Sequence, residues 1–391
     1  MKNYFASVAL AVAAVSGAGN AHADTVKIGV IGTFSGPFAL EGKNFKAGVD
    51  AYLALNGSKA GGSDIEIVYR DLPEADPAKA KAIAQELIVK DKVQYLGGVY
   101  FTPDALAITP LLEQGNVPLV IFNAAASIIT KKSPLVVRTS FTVWQNTTPI
   151  AKAAAARGIK TVITTVTDYG PGADAEAAFK KTFEAAGGKV VDSIRMPLKN
   201  TDFGPIMQRI KDSGAEAAFA FVPAGPNSLG YTKAFADNGL KQKNIRLLAT
   251  GDLTQEPDLP ALGDAGIGIL TGYHYAVSHK SAANDVFVAA ASKALGSPDE
   301  LNFAAVGAFD GMHVIAKMIE ATGGKQDAAK AVAAVKGLAW ESPRGPVSID
   351  PETRHITQNV YVREVARVDG KLINKEIETF ADQRDWGSVG N

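Results

Sequence analysis

Short apolar runs alternate with amphipathic segments along most of the chain. The run Val26–Ile31 has the length of a buried strand and ends at Gly32. After a short loop, Phe45, Val49 and Leu53 recur at intervals of four, which is the spacing of a helix with one buried face. This pattern predicts a strand followed by a helix. Further apolar runs of strand length follow at Ile65–Tyr69, Tyr95–Val99, Val117–Phe122, Val162–Thr165, Val190–Ile194, Ala217–Val222, Leu247–Thr250 and Ile267–Tyr273.

The alternation of strands and helices predicts the fold class. It favours parallel sheets with helices on both faces, and 391 residues are enough for two domains. One series of strands runs to about residue 140 and a second begins at Thr161, so we expect an α/β fold of two doubly wound lobes. A helical pattern at Phe303–Glu320 and strand patterns at Val347–Ile349 and Val360–Val368 come later. Their periodicity does not assign them to either lobe.

The first 23 residues have the pattern of a secretory signal peptide. Lys2 provides a positive start, an apolar run covers Phe5–Val15, and Ala21-His22-Ala23 offers the small residues that signal peptidase recognises. A membrane anchor is disfavoured because a spanning helix needs roughly 20 apolar residues. We therefore expect cleavage before Asp24 and a periplasmic location.

Composition and motifs exclude several classes of function. Forty Lys and Arg balance forty Asp and Glu without a long basic run, which argues against nucleic acid as a partner. The absence of cysteine excludes a Cys nucleophile and Cys-ligated metals. The five histidines have no metal-ligand spacing, and no phosphate-binding, dinucleotide-binding or nucleophile-elbow motif occurs. We therefore expect a protein that is not an enzyme and needs neither a metal nor a cofactor.

Loops that follow the predicted strands are the best candidates for a binding site. In open α/β sheets, ligands bind beyond the carboxyl ends of the strands, where loop amides and helix N-termini converge. Each candidate loop also fits an ordinary strand-to-helix connection. The small residues and hydroxyl groups of the first two loops listed below suit a ligand carboxylate. Tyr169, in the third loop, offers a flat ring to an apolar ligand. The candidate loops are Tyr100–Pro103, Asn123–Ser127, Asp168–Gly170 and Gly251-Asp252.

Several segments, taken in order, resemble the leucine/isoleucine/valine-binding protein family, the type I periplasmic solute-binding proteins of ABC transporters. The resemblance extends from Thr25 to about Lys371 and is carried by KIGVIGTFSGPFALEGKNFKAGVDAYLALNG, VPLVIFNAAASIIT, VVRTSF, DYGPG and RGPVSID.

The resemblance implies an architecture and a role. Two doubly wound lobes with parallel central sheets would be joined by a three-strand hinge and close on a ligand. By analogy, residues 24–140 plus 274–342 form lobe one, and residues 141–273 plus 343–391 form lobe two. The implied ligand is a small carboxylate of the branched-chain amino acid type, and the implied partner is an ABC permease in the inner membrane. We expect a monomer.

The resemblance also places ligand-contacting positions. Ala124 and Ala125 match the family's carboxylate-binding Ala-Thr loop, Phe101 or Thr102 its serine position, and Tyr169 its ligand-contacting tyrosine. The predicted ligand-binding residues are Glu41, Phe101, Thr102, Asn123, Ala124, Ala125, Tyr169, Gly225 and Asp252.

Departures from the family pattern keep the ligand class open. Ala125 lacks the usual threonine hydroxyl, Gly225 lies in a loop that often presents a tyrosine, and Glu41 stands where an aromatic residue is frequent. Asp252 lies near the acidic residue that pairs with an α-amino group. An aromatic carboxylate such as a benzoate derivative is therefore an alternative ligand.

Two other classes of function compete with transport. An enzyme on the same scaffold would need an acid/base pair, for which Glu41 and Asp252 are the candidates. A sensory ectodomain would need a transmembrane segment in the chain or a docking partner, and the mature sequence has no apolar run long enough to span a membrane.

Overall fold

The computed structural model describes residues 25–199 and 202–389. The predicted signal peptide and its cleavage site lie outside these ranges. No helix within them combines the length and the apolar character that crossing a bilayer requires.

The smaller sheet has six strands, which come from the first 138 residues. All neighbours pair in parallel except β2, which runs antiparallel to β3 at the edge. The spatial order is β2-β3-β1-β4-β5-β6. Its strands are β1 (Thr25–Gly32), β2 (Lys59–Ala60), β3 (Ser63–Asp71), β4 (Tyr95–Gly98), β5 (Leu119–Ile121) and β6 (Val136–Arg138).

The larger sheet combines a parallel half with an antiparallel extension. Five of its strands are parallel neighbours in the order β8-β7-β9-β10-β11, and β14 joins β11 antiparallel, with β13 and β15 also paired to β14. Its strands are β7 (Thr161–Thr167), β8 (Lys189–Met196), β9 (Ala217–Phe221), β10 (Arg246–Thr250), β11 (Leu270–Tyr273), β12 (Ala339–Ser342), β13 (Gly345–Ile349), β14 (Ile356–Val368) and β15 (Lys371–Gln383). The edge strand β12 pairs with β13, so residues 339–342 belong to this sheet although the expected boundary gave them to lobe one.

Helices cover both sheets. α1 and α11 pack closely because Gly48 has no side chain, and a Cβ atom there would lie 2.1 Å from the Ala305 carbonyl oxygen. The helices are α1 (Ala39–Asn56), α2 (Pro77–Val89), α3 (Thr102–Gly115), α4 (Ile129–Lys132), α5 (Val143–Ala156), α6 (Gly170–Ala185), α7 (Gly204–Asp212), α8 (Pro226–Asp237), α9 (Leu259–Leu262), α10 (Ala282–Leu295), α11 (Phe303–Thr322) and α12 (Ala328–Val335).

Three chain crossings connect the lobes, near residues 139–142, 274–277 and 336–338. The smaller lobe contains the first sheet with α1–α4 and α10–α12, and the larger lobe contains the second sheet with α5–α9. The predicted α/β architecture of two doubly wound lobes is confirmed. The antiparallel extension of the larger sheet is the feature that the prediction lacked.

A buried arginine anchors the first crossing. Arg344, in the turn between β12 and β13, is fully buried and donates to the backbone carbonyls of Thr139 and Ser140 in the first crossing. Its guanidinium also pairs with Asp310 of α11 at 2.6 Å. The Asp310 carboxylate accepts further hydrogen bonds from Trp340 and Ser342. Arg344 thus links the hinge to the smaller lobe.

The two lobes touch across the cleft between them. The Tyr100 hydroxyl of the smaller lobe donates to the Ala224 carbonyl of the larger lobe at 3.1 Å, and the Ser127 amide donates to Asp174 at 2.9 Å. Further contacts join Asn302 with Gln255 and Glu74 with Lys199. The structure is therefore the closed form of the hinge.

Candidate ligand-binding site

A small cavity lies between the lobes, where the carboxyl ends of β4, β5, β7, β9 and β10 meet. Its volume is about 10 Å³, so the lobes close tightly on it. A ligand can enter only when the lobes separate. The lining residues are Tyr100, Phe101, Thr102, Asn123, Ala125, Phe141, Tyr169, Pro171, Phe221, Pro223 and Asp252.

Six of the nine predicted site residues line this cavity, namely Phe101, Thr102, Asn123, Ala125, Tyr169 and Asp252. The other three do not. Ala124 is buried, and its amide donates to the Val99 carbonyl. Gly225 packs against Phe38, whose Cε1 would lie 2.7 Å from a Cβ atom on the glycine. Glu41 is buried behind the lining.

Five lining residues were not predicted. Tyr100 lies in the candidate loop Tyr100–Pro103, and Pro223 lies in the loop that contains Gly225. The sequence analysis did not assign either side chain to the site. Phe221 ends β9, and Phe141 lies in the first crossing. Pro171 is the second residue of α6. The only signal for these residues in the sequence is their position at the end of a strand or the start of a helix.

Two helix N-termini face each other at one end of the cavity. Thr102 is the first residue of α3 and Gly170 the first of α6, and a Cβ atom on Gly170 would lie 3.6 Å from Thr102 Cγ2. The first turn of a helix leaves backbone N–H groups without intrahelical acceptors and carries the positive end of the helix dipole. This end of the cavity therefore suits an anionic group.

The Thr102 side chain adds a hydroxyl donor at the same end. Its Oγ1 accepts a hydrogen bond from the Ala126 amide at 3.2 Å, which leaves the hydroxyl proton free for a ligand. Asn123 is held by its Nδ2 group, which donates to the Tyr100 carbonyl at 2.9 Å. The buried Oδ1 atom of Asn123 has no partner among the described residues, so it is an acceptor for a ligand donor.

Aromatic rings form the walls of the cavity. Tyr169 and Phe221 of the larger lobe lie nearly parallel, with ring centroids 6.2 Å apart and an interplanar angle of 21°. Tyr100 and Phe101 of the smaller lobe meet edge to face at 4.9 Å. Phe141, from the first crossing, completes the set and stacks on the buried ring of His274 at 4.6 Å. These flat surfaces favour a planar apolar ligand.

Asp252 supplies a carboxylate to the cavity. It is 4% exposed and accepts a hydrogen bond from Thr250 Oγ1 at 2.7 Å. Burial raises the pKa of Asp252 to about 6, against the opposing effects of this hydrogen bond and of the nearby Arg363. The carboxylate is therefore mostly ionised at neutral pH and can accept a hydrogen bond from a ligand.

Glu41 is a buried acid at the boundary of the lobes. It lies in the first turn of α1, is 1% exposed, and neither of its oxygens has a hydrogen-bond partner among the described residues. Burial raises the pKa of Glu41 to about 8, and its polar surroundings are Gln255, Asp252 and Asp258 of the larger lobe. Glu41 is therefore mostly protonated at pH 7 in the closed form.

The described parts of the chain contain no cluster of His, Asp or Glu side chains arranged to hold a metal ion. The cavity offers hydrogen-bonding groups, aromatic surfaces and one ionised carboxylate.

Comparison with known proteins identifies the family. Residues 25–371 match the family described as periplasmic binding protein. A Leu/Ile/Val-binding protein homolog 6 from Brucella melitensis is 65% identical over 98% of each chain. A solute-binding protein of an ABC transporter from R. palustris, solved in complex with 4-hydroxybenzoate, is 62% identical, with a TM-score of 0.93 over 94% of this chain and 100% of that one.

A second solved solute-binding protein, from Rhodopseudomonas palustris BisB5 in complex with 3,4-dihydroxybenzoic acid, is 44% identical, with a TM-score of 0.89 over 94% of this chain and 100% of that one. Its fold and the family match agree with the two lobes described above. The chain therefore belongs to the periplasmic binding proteins of the leucine/isoleucine/valine-binding type, which are the solute-binding proteins of ABC transporters.

Proposed function

We propose that the protein captures a small aromatic carboxylate of the hydroxybenzoate class in the periplasm and delivers it to an ABC permease. The observation that carries this proposal is the lining of the cavity, which has five aromatic side chains and two prolines. None of the eleven lining residues is Leu, Ile, Val or Met, the residues that would surround a branched aliphatic group.

The polar groups of the cavity suggest how such a ligand is oriented. Its carboxylate would lie at the paired N-termini of α3 and α6 and accept the Thr102 hydroxyl proton. The ring would lie against Tyr169 and Phe101. A ring hydroxyl would then donate to the ionised Asp252 of the larger lobe, so that one ligand bridges both lobes. The bound compounds of the two solved relatives, which are hydroxylated benzoates, support this class.

A branched-chain amino acid is the second candidate ligand. A buried, ionised Asp252 is also a suitable partner for an ammonium group, which must meet a carboxylate to offset its loss of hydration. The name of the Brucella melitensis relative, a Leu/Ile/Val-binding protein homolog, also favours an amino acid. The two candidates differ in the use of Asp252, because a phenol donates a neutral hydrogen bond and an ammonium forms an ion pair.

The two ligand classes can be separated by isothermal titration calorimetry with 4-hydroxybenzoate, benzoate and leucine. We expect 4-hydroxybenzoate to bind about tenfold more tightly than benzoate, because it alone donates a hydrogen bond to a charged acceptor. Asp252→Asn should weaken 4-hydroxybenzoate to about the affinity of benzoate and leave benzoate nearly unchanged. Leucine binding that is lost in Asp252→Asn, with no binding of either benzoate, would instead establish the amino acid as the ligand.

The position of the carboxylate has its own test. Thr102→Val keeps the shape of the side chain but removes the hydroxyl donor, so we expect about tenfold weaker binding of both benzoates. Thr102→Ser keeps the donor and serves as the matched control, with a change of about threefold or less. Equal affinity of the valine variant and the wild type in calorimetry would place the carboxylate elsewhere.

A further inference from the structure

A second cavity lies outside the cleft, in a groove between α5, α6 and the C-terminal segment. Its volume is about 430 Å³, much larger than that of the cleft cavity, and it shares no residue with that cavity. Its lining is Trp144, Thr148, Lys152, Lys181, Thr182, Ala185, Ala186 and Trp386.

The side chains of this groove are arranged as a row. Trp144, Thr148 and Lys152 are four residues apart on α5, so they lie on one face of the helix. Lys181 lies opposite, on α6, and Trp386 closes the groove from the C-terminal segment. Both indoles are only partly buried. The groove therefore offers flat apolar surface between two positive charges.

The charged groups of the groove are its two lysines. Neither Lys152 nor Lys181 forms an ion pair within the described ranges of the chain. The indole N–H groups do have partners in the protein, since Trp386 donates to Gln383 Oε1 at 3.3 Å and Trp144 donates to Asp174. The groove therefore offers a ligand two ammonium groups and the faces of two indole rings.

We propose that this groove is a second ligand-binding site, for a small anion with a planar apolar body. The two indoles would hold the body, since indole is the largest flat surface among the side chains. The two ammonium groups would hold the anionic group. A neutral compound of the same shape would lose the charge contacts, and an organic cation would be repelled by the two lysines.

The three tryptophans give this site a direct readout. Each indole N–H gives one resonance in a ¹H–¹⁵N spectrum of the full chain, and Trp144 and Trp386 line the groove whereas Trp340 contacts Asp310 in the smaller lobe. The signals are assigned with Trp340→Phe and Trp386→Phe. The probe is 2-naphthoate, which is larger than 4-hydroxybenzoate, and 2-naphthylmethanol is the neutral control.

We expect 2-naphthoate to shift the indole signals of Trp144 and Trp386 and to leave that of Trp340 in place. The probe should bind Thr102→Val, whose cleft is expected to hold benzoates about tenfold more weakly, as tightly as it binds the wild type. Replacing both Lys152 and Lys181 with Gln should weaken the probe about tenfold, whereas Lys180→Gln, next to the groove, should have little effect. The neutral alcohol should bind at least several-fold more weakly than the acid.

Three results would overturn the proposal. They are the absence of any shift of Trp144 and Trp386, equal affinity for the acid and the alcohol, and an affinity for the probe that falls in Thr102→Val as that for 4-hydroxybenzoate does. The last of these would assign the probe to the cleft.

Discussion

Replacing Arg344 with glutamine should lower the free energy of unfolding by about 3–5 kcal/mol. The substitution removes the cation that is paired with the fully buried Asp310 and leaves that carboxylate uncompensated. It also removes donors to the carbonyls of Thr139 and Ser140 in the first crossing. Urea unfolding followed by circular dichroism measures the change.

The matched control is Arg209→Gln. Arg209 pairs with Asp192 at 2.8 Å on the surface, where half of the arginine side chain is exposed. An exposed pair contributes about 0–1 kcal/mol, so this variant should unfold almost like the wild type. If the two variants were equally stable, the Arg344 pair would have no special role in joining the first crossing to the smaller lobe.

Ligand affinity should fall about fifteen-fold between pH 6.5 and pH 8. In the closed form, burial raises the pKa of Glu41 to about 8, whereas a solvated glutamate in the open form titrates near its ordinary value. Closure therefore takes up a proton. A pKa that is raised in the closed form favours closure at low pH, and the advantage is lost as the pH rises through that value.

The window from pH 6.5 to 8 isolates Glu41, because Asp252 titrates at about 6 and is mostly ionised above pH 6.5. Around Glu41, Asp252 and Asp258 raise its pKa further and Gln255 lowers it. Titration calorimetry at pH 7 in two buffers with different enthalpies of ionisation counts the protons taken up, and we expect close to one per ligand.

Glu41→Gln is the control for this prediction, since it keeps the shape of the protonated acid without its titration. The variant closes without taking up a proton, so it should bind at pH 7 more tightly than the wild type by roughly two orders of magnitude, with an affinity nearly independent of pH and without proton uptake. An unchanged pH profile in the glutamine variant would show that another group takes up the proton.

The sequence predicted the parallel part of the fold well because buried strands and helices have strong periodicities. The pattern at Phe303–Glu320 corresponds to α11, and Val26–Ile31 to β1. The strand β15 was missed because Lys371–Gln383 alternates charged and apolar residues along a half-exposed hairpin, so it lacks the apolar run of a buried strand. Its pairing with β14 is a tertiary contact that no local pattern encodes.

The sequence predicted which loops form the cavity but not which of their side chains line it. Strand ends located Thr102, Asn123 and Tyr169, because ligand sites in such sheets lie beyond the carboxyl ends of strands. Whether Ala124 or Ala125 faces the cavity depends on the local backbone conformation, which composition does not determine. Phe141 comes from a crossing, so it reaches the cavity only through the arrangement of the two lobes.

The pairing of β11 with β14 has a consequence for how the chain folds. Tyr273 pairs with Tyr361, which follows 361 − 273 = 88 residues later, after three helices of the other lobe. During synthesis or export from the N-terminus, β11 therefore remains an unpaired sheet edge until those residues have emerged. Unpaired edges invite association with other chains, and such long-range pairing slows folding. The larger lobe is thus the part of the molecule that would most need protection by a chaperone before the chain is complete.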